Sequence, residues 1–132
     1  MTADDPRYGH EVRRRMASLA GAGSFASGPD VIAGRAGDRE QGAEVELQLR
    51  TAGDRVTEAR FRAFGCPHFI AAASWLTEHL AGASRDELGH WDWREAAAAL
   101  EVPPAKFGRL LTLQDAVRDA AGNWPGGAAS TV

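Results

Sequence analysis

Cys66 is the only thiol in the chain, and it stands in "FGCPHFIAAASWLTEHLAG", residues 64–82, between a strand-like run and a helix-like one. Pro67 suits the first position of a helix, so Cys66 reads as its N-cap. A thiol there faces unpaired N–H groups and the positive end of the helix dipole. That environment favours the thiolate, the form that acts as nucleophile and metal ligand. The same position continues an apolar stripe through Phe69 or Ile70 to Ala73, and cysteine is among the most buried residue types. Position alone leaves a functional sulfur and a core residue both open. His68 lies two residues on, so "CPH" offers two metal ligands, whereas a closed zinc site needs four. The other histidines, His10, His79 and His90, have no metal-site spacing. All four histidines therefore read as surface or interface residues. No Gly-rich phosphate loop and no nucleophile–base spacing is present, so the chain is expected not to be an enzyme.

Three blocks of sequence must position these residues. In the first, Asp5 and Pro6 form a helix start, and Tyr8, Val12, Met16 and Leu19 recur at helical spacing until Gly21. Arg13, Arg14 and Arg15 then spread over a turn as a solvated surface. In the second, 30–35 is a short strand, and 44–51 alternates Val45, Leu47 and Leu49 with Glu44, Glu46, Gln48 and Arg50. That is a half-buried antiparallel strand. "AGD" at 52–54 turns the chain, and 55–64 returns with Ala59, Phe61 and Ala63 in period two. Val56 is out of step with them, which a bulge near Thr57 or Glu58 repairs. The third block is helical. Phe69, Ala73, Leu76 and Leu80 form a stripe that Gly82 ends. Ser84 with Glu87, and Asp92 with Glu95, read as capping boxes. "VPPAK" breaks the chain before a last helix over 105–122. Helix, three antiparallel strands and then helices on one face of the sheet make an α+β fold.

At 132 residues the chain is expected to be one domain, ordered over about 8–124, with a flexible tail at 125–132. Its composition, 44% hydrophobic and 25% charged, is that of a globular protein. A net charge of -3 gives no case for nucleic acid or an anionic membrane as partner. One cysteine excludes an internal disulfide, and neither a signal peptide nor a long apolar span is read, so a cytoplasmic location is expected. Lys106 is the only lysine among fifteen basic residues, a bias of composition rather than of chemistry.

"VTEARFRAFGCPHFIAAASWLTEHLAG" resembles the second cysteine region of IscU-type iron–sulfur cluster scaffolds, also found as the N-terminal domain of NifU. "VPPAK", 102–106, is similar to the Leu-Pro-Pro-Val-Lys loop by which an Hsp70-type chaperone grips these scaffolds. "GSF" at 23–25, "GAEVELQL" at 42–49 and "DAVRDAAGNW" at 115–124 extend the resemblance over about 8–124. It implies a chaperone-docking loop at Pro103, Pro104 and Lys106, and a cysteine desulfurase as a second partner. It also implies three ligand cysteines helped by an aspartate and a histidine, and here this chain departs. The first cysteine position reads Gln41, the aspartate position Ala43, and the His-Cys pair Gly108 and Arg109. Cys66 alone remains as a cluster, sulfur or metal site. Since [2Fe–2S] clusters want four protein ligands, a monomer is expected to hold none stably. Iron or a transient cluster would have to be shared with a partner, a second copy of the chain included. The resemblance brings Gln41, Cys66 and Arg109 together, with the guanidinium favouring the thiolate. Two readings stay open: an accessory or sulfur or iron carrier in cluster assembly, or a non-catalytic binding module that keeps the fold without cluster or metal.

Overall fold

A computed structural model of the chain describes residues 9–124. Helix α1 (His10–Ala17) leads to strands β1 (Val31–Asp38), β2 (Ala43–Ala52) and β3 (Arg55–Phe64). Helices α2 (Pro67–Leu80), α3 (Arg85–Gly89), α4 (Arg94–Leu100) and α5 (Phe107–Gly122) follow, with a 3-10 turn, Pro104–Lys106, before the last. The sheet is antiparallel in the order β1-β2-β3, and α5 lies on β1 and β2 while α2 lies on β3. This is the α+β architecture the alternation implies. The first strand runs longer than 30–35 because its partner β2 extends the pairing as far as Asp38 opposite Ala43.

The period-two residues of β2 point where the pattern places them: Val45, Leu47 and Leu49 are buried to 1% exposure or less. Between Arg50 and Thr51 the pairing jumps from Glu58 to Val56, so Thr57 is the extra residue of a bulge. Its hydroxyl donates to the Arg50 carbonyl at 3.1 Å, and Val56 is thereby turned into the core. The β2–β3 hairpin closes through Gly53 at φ +62°, a conformation that glycine adopts without a Cβ penalty. On the core face of β1, Gly34 lies under α5 so closely that a Cβ would collide with the backbone of Ala116 and Ala120. Glycine here sets the distance between helix and sheet.

The helices pack as read through Phe69, Ala73, Leu76 and Leu80, all buried. Ser84 and Glu87 close their capping box. Asp92 and Glu95 do not. Helix α4 starts one residue later than that box requires, with Trp93 as N-cap. The Trp93 N–H goes to Gln114 of α5 at 3.0 Å, and the Asp92 carboxylate takes the Arg94 N–H instead. The arginine run also departs from a uniformly solvated surface. Arg15 is buried, pairing with Glu11 of its own helix and Glu78 of α2, because α1 packs along α2. Helix α1 ends at Ala17, which leaves Leu19 outside the stripe and exposed. Asp5, Pro6, Tyr8 and the tail 125–132 lie outside the described residues.

Candidate functional site

Two tight turns and one helix start meet at one end of the molecule. Cys66 is the N-cap of α2, extended at φ -72° and ψ 165°, with Pro67 following at the first helical position. Its side chain makes no capping hydrogen bond. The residue is half-buried and packs against the core edge, between the two alternatives that the sequence left open. The preceding Gly65 is a matter of space: a Cβ there would come within 2.7 Å of the Phe69 ring and 3.3 Å of the Gly42 carbonyl. This contact is what sets the Cys66 turn against the β1–β2 turn.

The β1–β2 turn is held by its own polar groups. Asp38 accepts the Gln41 N–H at 2.8 Å, and the Gly42 N–H reaches the Arg39 carbonyl at 3.0 Å. Gly42 has φ +86°, a backbone conformation that favours glycine. Gln41 is exposed at the tip, and Ala43 is buried at the first position of β2. From the first turn of α5, Arg109 donates to the Gln41 carbonyl at 2.9 Å, and a Cβ on Gly42 would sit 3.2 Å from its Nη2. Gln41 and Arg109 are thus in direct contact. Cys66 joins them through the packing of Gly65 on Gly42. Gly108 is exposed beside Arg109.

Next to this cluster lies the "VPPAK" segment. Val102 anchors it in the core, and Pro103, Pro104 and Ala105 are exposed. Lys106, the lysine of the implied docking loop, is half-buried, because it ends the 3-10 turn and caps α5. Nor is His68 a surface residue: it is 6% exposed, since the small-residue helix α2 sinks its first turn into the fold. Burial, followed by the positive charge of Lys106, holds its pKa below the ordinary histidine value.

Among the described residues no group of three or more His, Cys, Asp or Glu side chains is placed to hold a metal ion. The donors at this end of the molecule do not fit a cluster bound in the manner the resemblance implies. One of the positions that the resemblance gives to a ligand carries the Arg109 guanidinium, a cation with no electron pair to donate to a metal. Sequence reasoning named Cys66, Gln41 and Arg109, which the structure sets on adjoining turns. It missed the group on the opposite sheet face, where Glu46 is clasped by Arg35 and Arg62. Only the strand register shows that these three stand side by side, so no motif could have found them.

A Gly-Cys turn at the end of a three-stranded sheet, with the start of a helix that follows a Pro-Pro loop at the same end, is the arrangement that the resemblance to iron–sulfur cluster scaffolds implies. The chain belongs to the NifU-like N-terminal domain family, which it matches over residues 7–130. Over 119 residues it is 29% identical to the iron-sulfur cluster assembly scaffold protein IscU of Escherichia coli, covering 89% of this chain and 93% of that one. A relative named iron-sulfur cluster assembly protein IscU, from Plasmodium falciparum, is 36% identical over 80 residues. That match takes in 61% of this chain and 49% of the longer relative. The fold is also that of the crystallised N-terminal NifU-like protein of Brucella abortus. Its TM-score is 0.64 at 18% identity, over 85% of this chain and 90% of that one.

Proposed function

We propose that the chain serves iron–sulfur cluster assembly as a non-enzymatic accessory that accepts sulfur at Cys66 and hands it on, without housing a cluster itself. Membership of the family supports the process. The single observation that carries the role is that one half-buried cysteine at a helix N-cap remains, with Arg109 tied to Gln41 on the adjoining turn. In such a step the Cys66 thiolate attacks the outer sulfur of a cysteine desulfurase persulfide. The S–S bond of the donor breaks and its electron pair leaves on the donor cysteine. A new S–S bond forms at Cys66, and the proton given up by the Cys66 thiol goes to solvent or to the leaving thiolate. No oxidant is consumed, because sulfur moves at constant oxidation level.

The partner set in this reading is a cysteine desulfurase and an Hsp70-type chaperone. Exposed Pro103, Pro104 and Ala105 support the second. No helix of the described residues is long and apolar enough to cross a membrane, which is compatible with work in the cytoplasm. A second reading, a binding module with an inert thiol, draws on the packing of Cys66 against the core edge.

Incubation with a cysteine desulfurase and radiolabelled cysteine separates the two. Label released by reductant and lost in Cys66→Ser is the expected result, and an unlabelled chain leaves only the binding module. Anaerobic treatment with iron and sulfide should give no charge-transfer absorbance after desalting. A stoichiometric cluster on the monomer would remove the accessory role.

A further inference from the structure

Among the described residues no helix covers the face of the sheet turned away from α2 and α5, and at its Cys66 end this face forms an open groove of about 480 Å³. The groove is built on one carboxylate. Glu46 is 8% exposed although it lies on the polar face of β2, because Arg35 of β1 and Arg62 of β3 each reach it at 2.5 Å from opposite sides. Burial pushes the Glu46 carboxyl up, but the hydrogen bonds from Arg62 and Arg35 prevail and hold its pKa below the ordinary value. Glu46 is therefore a fixed anion that orients two guanidiniums. Their outer edges stay open, with side chains 72% and 67% exposed. At the lip, Arg39 lies over the ring of exposed Phe64, 4.7 Å from its centre, and pairs with Glu44 at 3.5 Å. Three guanidiniums against two carboxylates leave one uncompensated positive charge beside an aromatic surface, in a chain whose net charge is -3.

We propose that this groove binds an acidic segment of a partner protein. Carboxylates of the segment are taken by the free edges of Arg35 and Arg62, and an apolar side chain rests on Phe64. Charge complementarity selects the occupant: oriented guanidiniums match carboxylates in planar, two-point fashion, and aromatic and arginine residues are the side chains that anchor interfaces. Phe64 lies two residues before Cys66, so a partner seated here is held against the sulfur-bearing turn. The proposal does not depend on whether Cys66 carries sulfur.

The probe is a fluorescent peptide of alternating Glu and Leu, read by polarisation against the full chain at low salt, with an equivalent Lys and Leu peptide as control. Arg35→Gln and Arg62→Gln should each weaken the acidic peptide roughly tenfold, the loss of one oriented charge pair. Glu46→Gln, which keeps an acceptor oxygen for the guanidiniums and removes the negative charge that opposes the peptide's carboxylates, should tighten it severalfold. That opposite sign keeps the test valid if either arginine variant unfolds. Equal binding of the lysine peptide, or no response to Glu46→Gln and Arg35→Gln in folded protein, would overturn the proposal. So would sedimentation showing self-association of the chain that these variants abolish, since the occupant would then be a second copy.

Discussion

His68 shows how one buried ring ties the site to pH. Its folded pKa lies below the ordinary 6.5, through burial first and the Lys106 charge second. As pH falls through about 6.5 the unfolded ring takes up a proton before the folded one does, so the unfolded state gains and stability drops. The thermal midpoint should therefore decline from pH 7 to pH 5 by more than in a His68→Gln variant. Lys106→Ala removes one cause of the depression, so the His68 ring should titrate higher and the decline become shallower. Ring-proton NMR and thermal melts across that range check both. A melt whose pH slope is identical in wild type and His68→Gln would show that the ring makes no such contribution. In the sequence, His68 was visible as a neighbour of Cys66 but not as a buried group. Its burial follows from the depth to which α2 packs, and periodicity reports a buried face, not how far it sinks.

At the level of elements, one residue fixes the separation of α5 from the sheet. Gly34→Ala would drive a methyl group into the backbone of Ala116 and Ala120, where no side chain can rotate away. Overpacking of this kind costs about 1–3 kcal/mol, and the melting point should fall by at least about 4 °C. An unchanged melting point would mean that α5 lifts from β1 freely. The same interface explains which elements were legible. The alternation of Val45, Leu47 and Leu49, and the break of step at Val56, determined β2, β3 and the bulge at Thr57, since each is a local consequence of a two-residue period. The Asp92 and Glu95 capping box matched the pattern equally well and did not form. The Asp92 carboxylate takes the N–H and guanidinium of Arg94, and the Glu95 carboxylate lies 3.4 Å from the His79 ring of α2. Local signals fail where other groups engage the side chains that the pattern assigns to the backbone.

For the whole molecule, the fold of the family is kept while Arg109 ties the start of α5 to the β1–β2 turn. Family and architecture were readable because the Gly-Cys turn and the Pro-Pro loop carry backbone requirements that persist when ligands change. The acidic-partner groove was not readable, because it exists only across three paired strands. The contact of Arg109 with the Gln41 carbonyl has a consequence for supply and demand in the cell. A domain closed by a bound ion gains stability in proportion to the logarithm of free ion over dissociation constant, so its abundance follows the ion. Here the positive charge is part of the chain and always present. Melting curves with and without a strong chelator, or with added iron or zinc, should superimpose. Arg109→Ala should destabilise the fold by the worth of one solvent-exposed hydrogen bond, about 1 kcal/mol, with or without metal. A midpoint that climbs with added iron would mean an ion still closes this end. If the curves superimpose, the stability of the fold does not follow the supply of iron.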